Sequence, residues 1–579
     1  MFKLARFLKP YKIQLILGPA AKLVEAVFEL VLPLLMADLI DTGIKTGNSE
    51  YIITKCIQMA VVSAIGLLCA LFCQYSASIA SQGFGTSLRS ALMEKINTFS
   101  FAEMERYGTT TLVNRSTNDV NQLQLAVAML IRLVIRAPFL CIGGIIMAIR
   151  IDWKLAVILL IFIPVFILIL YLIMKKTIPL YKSVQKKLDA LSLVLRENLT
   201  GVRVIRAFNR SVDERERFRK ANRDWMDTAI QAGKISALMS PLTLLIMNMA
   251  ALLIIWIGGF RVDGGNLTQG QLIAFINYIT QIMLALIVVA NLAVLFNRAF
   301  ASAQRVNEIL ETQPSIITGQ NAVTVLPEDN GKKAVIEFKN VSFAYTGEGQ
   351  PALKDISFSA ESGSTIGIIG GTGAGKSTLI NLIPRFYDVS EGTVYVEGID
   401  VKKYDQNVLH DAIGMVPQKA SLFSGTIREN ILWGKRDAQQ SEIEQAAEIS
   451  QAAEFIERMP LKYNTEISQG GKNLSGGQRQ RLTIARAVIK KPVILILDDS
   501  SSALDYMTDF KLRTALRKLE TGVTLIVSQR VNAVKDADRI LVLDDGRLAG
   551  SGSHEQLFKE NQVYREICLS QNITVDKKI

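Results

Sequence analysis

Histidine is almost missing from this chain: His410 and His554 are the only two among 579 residues. No His-rich metal site can be built from that pair, and any mechanism that needs an imidazole must use one of them. Cysteine is scarce too. Five in this length exclude a disulfide-stapled secreted scaffold. Cys56, Cys69, Cys73 and Cys141 lie in apolar runs, where a free thiol is most often a small buried hydrophobe. Charged residues make up only 20% of the chain. With a mean hydropathy of +0.27, the chain is too apolar for an ordinary soluble enzyme and too polar for a protein that is all membrane. Such an average points to two unlike halves.

The charge separates them. Residues 1–310 carry 33 Lys and Arg against 19 Asp and Glu, a net of +14, whereas 311–579 carry 32 against 34, a net of −2. The whole excess of +12 therefore sits in the first half, between apolar segments. That pattern reads as membrane topology and speaks against nucleic acid as a partner.

Six apolar stretches are long enough to cross a bilayer as helices: 14–37, 57–80, 127–149, 155–174, 236–260 and 272–295. The first dozen residues hold Lys3, Arg6, Lys9 and Lys12 and no acid, and 175–234 holds 15 basic and 7 acidic residues. The links near 150–154 and 261–270 are short and almost balanced. The positive-inside bias therefore predicts a cytoplasmic N-terminus, six spans and a chain that returns to the cytoplasm. The two cytoplasmic links are helical in pattern and read as extensions of the membrane helices, with polar breaks at 107–118 and 198–209. Lys22, Glu25 and Glu29 share one face of the first span, and Arg132 and Arg136 lie one turn apart on the third. Glu25, Glu29, Arg132 and Arg136 are candidates for lining a substrate cavity, and the two carboxylates suggest cationic amphiphiles as cargo. The plainer alternatives are that Lys22 and Glu25 neutralise one another and that the arginines snorkel to the interface.

After Arg298 the pattern changes. Pro314, Gly319, Pro327 and Gly331 punctuate a linker over 311–335. Short β-branched runs at 334–338, 364–369, 493–497 and 524–528 then alternate with helical patterns, which predicts an α/β domain with a largely parallel core sheet. Gly370, Gly371, Thr372, Gly373, Ala374, Gly375, Lys376 and Ser377, followed by Thr378, match the P-loop pattern between an apolar strand and a helix. Its glycines let backbone N–H groups crowd round phosphate oxygens. Lys376 is expected to reach the β- and γ-phosphates and Ser377 to bind Mg2+. The run 493–497 ends in Asp498 and Asp499, so a carboxylate at a strand end stands ready to hold the metal.

Between these elements stand Leu474, Ser475, Gly476, Gly477 and Gln478. An LSGGQ run between a P-loop and such a strand resembles the signature of ABC ATPases, and the whole chain resembles an ABC exporter half-transporter. The resemblance implies an α-helical transmembrane domain over 1–310 with long cytoplasmic extensions, then an α/β ABC nucleotide-binding domain over 336–579. It implies ATP and Mg2+ as ligands, export of a small molecule across the cytoplasmic membrane, both termini in the cytoplasm, and a second half-transporter as partner. Tyr345 falls where the family stacks an aromatic on adenine. Gln418 matches the Q-loop, which senses the metal, while Ser502 and Asp505 match the D-loop. Residues 465–471 fall where exporters touch their cytoplasmic helices, and 108–119 and 201–209 look like the regions of the two coupling helices. In the family, the signature acts in trans on the partner's nucleotide.

Two positions depart from the pattern. The catalytic position after the metal-binding Asp is Glu in members that hydrolyse well, and here it is Asp499. The side chain reaches about 1 to 1.5 Å less far, and a misplacement of about 1 Å can cost on the order of 100-fold in rate. The family's switch histidine is replaced by Gln529, which cannot carry a proton or a positive charge. Both changes fall on the site built on this chain's own P-loop, while its signature is intact. That asymmetry resembles the degenerate-site subunit of a bacterial heterodimeric multidrug exporter. The alternatives are a lipid or peptide exporter subunit, or a nucleotide-binding regulator that does not transport.

Overall fold

A computed structural model describes residues 2–319, 321–327, 334–345, 350–500, 502–519 and 522–573. Gly331 of the expected linker lies outside them. The chain divides into two compact units, Met1–Asn97 with Thr110–Thr312, and Thr98–Thr109 with Gln313–Ile579.

The first unit is helical. Its long helices are Lys12–Asp38, Ser49–Asn97, Thr109–Ile151, Trp153–Thr200, Ser211–Asp263 and Gln269–Glu311. At about 1.5 Å per residue, the longer ones extend well past a hydrocarbon core of about 30 Å. Five carry strongly apolar stretches. The first is long enough at 27 residues, but Lys22, Glu25 and Glu29 lower the hydropathy of its middle. Leu67, Leu68, Leu160 and Trp256 are each 60% or more exposed. In water such surfaces would drive association; in lipid they are the expected outer face. Inward, Ala26, Leu30, Leu140 and Tyr278 form one buried cluster, and Leu155, Phe166, Ile254 and Phe275 belong to another. Two adjacent glycines on the third long helix permit the close approach: a Cβ on Gly143 would lie 2.5 Å from Leu30 Cδ1, and one on Gly144 2.8 Å from Ile282 Cγ1.

The first cytoplasmic link differs from expectation. Its separate short helix is Phe101–Tyr107, started by a capping box in which Ser100 and Glu103 satisfy each other and ended at Gly108, with φ +70°. The polar stretch 109–118 continues as helix through a π-helical turn, Arg115–Asp119, instead of breaking. A break does fall inside the expected 107–118, at Gly108, while the rest of that stretch stays helical. By its contacts Phe101–Tyr107 belongs to the second unit, where Phe101 stacks on Phe386 at 4.3 Å and Ser315 N–H donates to Glu103 at 3.1 Å. The second link carries the short helix Val202–Ala207, followed by Asn209 at φ 53°, inside the expected region.

The second unit is α/β. Its strands are β1 (Ala334–Phe343), β2 (Leu353–Glu361), β3 (Ser364–Gly370), β4 (Glu391–Val396), β5 (Ile399–Asp400), β6 (Ile413–Val416), β7 (Gly425–Thr426), β8 (Glu466–Ile467), β9 (Ile494–Asp498), β10 (Val523–Val527), β11 (Arg539–Asp544) and β12 (Arg547–Gly552). They form an antiparallel sheet β2-β1-β4-β5, a six-stranded sheet β12-β11-β3-β10-β9-β6 and the small pair β7-β8. In the six-stranded sheet, β11, β3, β10, β9 and β6 run parallel. The burial pattern of β9 is continuous, as a strand covered on both faces requires. The separate antiparallel sheet went unforeseen because β5 is two residues long and β4 opens on an exposed Glu391-Gly392 pair.

Candidate functional site

Four neighbouring parallel strands end on one edge of the six-stranded sheet, and each delivers one part of the site. Val527 of β10 lies opposite both Ile368 of β3 and Asp498 of β9, and Leu497 of β9 lies opposite Val416 of β6. The loop after β3 is the glycine-rich turn, β9 ends at Asp498, Ser528 and Gln529 follow β10, and Gln418 follows β6. A crevice outside the carboxyl ends of parallel strands is the usual ligand site of such a sheet. Here it is a cleft of about 330 Å³ lined by Thr372, Gly373, Gly375, Lys376, Ser377, Thr378, Gln418, Asp498, Asp499, Ser528 and Gln529, with Tyr345 at one side.

The turn needs its glycines. Gly373 and Gly375 have φ of +83° and +93°, and a Cβ on Gly375 would sit 2.9 Å from the Ala352 carbonyl oxygen. Lys376 Nζ donates to the carbonyls of Gly370 at 2.9 Å and Gly371 at 2.7 Å, which folds the ammonium over the loop. Burial lowers its pKa, and the carboxylates of Asp498 and Asp499 oppose that shift. Tyr345 donates to or accepts from Thr378 Oγ1 at 2.9 Å; its ring is half exposed and edges against Phe343 and Tyr387.

Ser377 Oγ donates to Asp498 Oδ2 at 3.2 Å. Burial raises the Asp498 pKa and neighbouring Asp499 adds to it, while the Ser377 hydrogen bond and Lys376 pull the other way. A hydroxyl beside a carboxylate is a hard oxygen pair suited to Mg2+, which takes few protein ligands and fills its shell from water and phosphate. Ser377 and Asp498 would hold the ion, with Gln418 exposed on the neighbouring strand end. No group of three or more His, Cys, Asp or Glu with metal-binding arrangement occurs among the described residues, so a cage made of protein alone is not on offer.

Asp499 follows the strand in a left-handed backbone conformation, φ 44°, and its N–H is donated to the Val527 carbonyl at 2.8 Å. Its side chain accepts from Ser528 Oγ at 3.4 Å, a long contact. Gln529 is exposed at the cleft, and its backbone carbonyl accepts from Gln571 Nε2 at 2.8 Å. The role of Ser528 was not legible from the sequence, since it lies one residue before the position that drew attention. Neither histidine takes part: His410 bonds the Pro384 carbonyl at 2.8 Å, and His554 bonds the Tyr564 hydroxyl at 2.7 Å.

The signature stands apart from this cleft. Leu474 is buried, and Ser475 caps the helix Gly476–Val488. Ser475 Oγ accepts from Gln478 N–H at 3.3 Å while Gln478 Oε1 accepts from Ser475 N–H at 2.9 Å. The motif's Ser and Gln thus lock each other, and Gly476 stays exposed between them. Behind it, a Cβ on Gly477 would meet the Ala503 carbonyl oxygen at 3.0 Å. Asp505 caps the next helix, Tyr506–Leu516, accepting from Thr508 N–H at 3.0 Å, and Ser502 Oγ donates to the Asp499 carbonyl at 3.0 Å. The segment 502–505 thus links the cleft's edge to the signature helix.

In the membrane unit both carboxylates of the first span are paired. Lys22 bridges Glu25 at 2.6 Å and Arg136 bridges Glu29 at 2.7 Å. The sequence suggested that these carboxylates receive a cationic cargo; in the structure each is already paired with a cation of the chain.

Known proteins resemble the chain throughout its length. Residues 15–286 match the model of the ABC transporter transmembrane region, and 353–502 match that of the ABC transporter. An uncharacterised ABC transporter ATP-binding protein of Mycobacterium tuberculosis is 39% identical over 575 residues, 99% of this chain and 98% of that one. An ATP-dependent lipid A-core flippase of Syntrophus aciditrophicus is 33% identical over 500 residues, 86% and 82% of the two chains. The solved structure of a bacterial Atm1-family ABC exporter with ATP bound superposes with a TM-score of 0.78 at 25% identity, covering 99% of each chain.

Proposed function

The chain belongs to the ABC transporter family as an exporter half-transporter of the cytoplasmic membrane whose ATP hydrolysis drives transport, and from that premise we propose that it exports small amphipathic molecules, in the multidrug manner, as the degenerate-site subunit of a heterodimer. The observation that carries this is the pairing of Asp499 and Gln529 in one cleft beside an intact signature.

The mechanism follows from the residues. The glycine-rich turn and Lys376 bind the triphosphate, and Tyr345 lies where adenine would stack. Mg2+ held at Ser377 and Asp498, with Gln418 near, would neutralise charge on the β- and γ-phosphates. Asp499 is left to orient the attacking water, from a carboxylate one methylene short, and Gln529 can hydrogen-bond the γ-phosphate without supplying a proton or charge. Binding is therefore retained while hydrolysis at this site is slow. The exposed signature completes the partner's site, its Gly476 N–H and Ser475 hydroxyl aimed at the γ-phosphate there. ATP then joins the two nucleotide units, and hydrolysis at the competent site releases them. The short helices Phe101–Tyr107 and Val202–Ala207 are the candidates to relay that closure to the spans, with both termini in the cytoplasm.

Expression of this chain alone is the test. We expect weak ATPase activity, raised by restoring Glu and His; robust turnover by the homodimer that is indifferent to Asp499→Asn would overturn the heterodimer. The likeness to a flippase supports a second reading, lipid export. ATP-dependent flux in vesicles, with labelled lipid and with a soluble amphiphile in separate arms, decides between the two. ATP binding with no flux of either would leave a regulatory subunit.

A further inference from the structure

The six expected spans contain five charged residues, Lys22, Glu25, Glu29, Arg132 and Arg136. Lys22, Glu25 and Glu29 fall within two turns of the first span, and Arg132 and Arg136 within one turn of the third. A Cβ on Gly18 would lie 2.8 Å from Ile131 Cγ2 and 3.3 Å from Ser76 Cβ, so the first three long helices meet one turn from Lys22. Cys73 Sγ lies 3.9 Å from the carbonyl of Ile131, the residue before Arg132. One turn further, Arg136 reaches Glu29, whose backbone carbonyl accepts from Gln281 Nε2 at 3.2 Å.

The pairing leaves a remainder. Lys22 is matched by Glu25 and Arg136 by Glu29, and among the described residues Arg132 has no ion pair or hydrogen bond. Its Nε is buried without a partner, as are Arg136 Nε and Gln281 Oε1. Arg132 also stands in a π-helical turn, Leu130–Val134, inside an otherwise α-helical span, a distortion frequent at functional sites. Three cations against two anions give the cluster one uncompensated positive charge. A charge in that setting is costly unless it meets its opposite, and intramembrane ionisable groups mark ligand paths.

We propose that this cluster binds the anionic head, a phosphate or carboxylate, of an amphipathic ligand, with Arg132 as its principal contact. The guanidinium fork suits either oxyanion, and the apolar spans receive the tail. The inference rests on the export reading and sets its cargo class: acidic amphiphiles, not the cations that Glu25 and Glu29 suggest when read alone. The head group can belong to a soluble amphiphile or to a lipid of the bilayer.

The test is equilibrium binding of radiolabelled decyl phosphate to the full chain, with its partner where the two co-purify, in phosphatidylcholine nanodiscs, without nucleotide. Arg132→Gln should weaken binding by about tenfold or more, and Arg132→Lys should restore part of it. Glu25→Gln, which adds one net positive charge, should tighten it by about threefold; this gain guards against loss through misfolding. Decyltrimethylammonium should show neither response. Competition by phosphatidylglycerol added to the nanodiscs assigns the site to a lipid, and its absence assigns it to a soluble amphiphile. Binding of decyl phosphate unchanged by both Arg132→Gln and Glu25→Gln overturns the inference. So does tighter binding of the cation than of the anion. ATP-dependent flux of neutral or cationic amphiphiles without Arg132-dependent binding would defeat this site and spare the exporter. Arg132-dependent binding with no flux of any amphiphile would do the reverse.

Discussion

The nucleotide unit presents two edges built to different standards. At the signature edge every residue is in pattern, and the motif polices itself: Ser475 and Gln478 close a reciprocal cap, and a side chain at Gly477 would press on the Ala503 carbonyl. At the cleft the binding parts are equally complete, with Lys376 folded over its loop and Ser377 on Asp498. Only the two groups that would act on water differ, Asp499 and Gln529. If the proposed heterodimer holds, the chain keeps what it needs to close on ATP and lacks what it would need to cleave it quickly.

The sharpest way to break that comparison is to damage the better edge. In the assembled transporter, if the proposed heterodimer holds, Gly477→Arg is expected to lower steady-state ATPase activity by about 100-fold or more, because its side chain displaces the preorganised donors Gly476 N–H and Ser475 from the partner's site. Asp499→Asn in the same assembly should change it by no more than about threefold. Equal losses from the two variants would mean that both sites hydrolyse.

Repairing the poorer edge should have the next largest effect. Asp499→Glu combined with Gln529→His, in the chain expressed alone, is expected to raise ATP turnover by about 100-fold, the cost assigned to a misplacement of about 1 Å. Gln529→His by itself should recover less, since Asp499 still falls short. A silent double variant would move the defect elsewhere in the cleft.

How far the sequence foretold these edges depends on how local each device is. The P-loop, Asp498 and the signature are each contiguous, and their strand-and-helix context is contiguous too, so they could be read directly. The Lys22–Glu25 pair, three residues apart, was legible as an alternative. The Arg136–Glu29 pair spans 107 residues and was not. The short helix Phe101–Tyr107 was not singled out because a run of Thr and Asn drew attention past the cap at Ser100 and the φ +70° of Gly108. The double duty of Ser475 and Gln478 was hidden by their fame as a motif: a capping box is the same four-residue spacing seen without its function.

Asp498 sharpens the contrast from the side of stability. Its pKa is raised from an ordinary 3.8, first by burial and then by Asp499, so the folded chain holds that proton more tightly than the unfolded one. The contribution to stability is then greatest in acid and is lost as pH rises from the ordinary carboxylate value through the raised one. At neutral pH the ionised group is a burden that Mg2+ would relieve. Asp498→Asn should therefore raise the melting temperature of the nucleotide-free chain at pH 7, flatten its dependence on acid pH, and abolish the further rise given by Mg-ATP. A variant less stable than the parent at pH 7 would show that Asp498 is held by its neighbours and not strained by them.

Ser528→Ala is the smallest and most discriminating change. Ser528 is 1% exposed, and its hydroxyl both accepts from Arg530 N–H at 3.0 Å and reaches Asp499 at 3.4 Å. If that longer contact orients Asp499 for catalysis, its loss should lower turnover in the Asp499→Glu, Gln529→His background, where chemistry is restored. If it only shapes the turn, loss of one buried hydrogen bond should cost about 1 kcal/mol of stability and leave turnover unchanged in both backgrounds. The length of the Asp499 contact favours the second outcome: a turnover change below about twofold, with a lower melting temperature. A larger fall confined to the repaired background would mean that the cleft still keeps part of a catalytic arrangement it no longer uses, and the two edges would then differ less than their residues suggest.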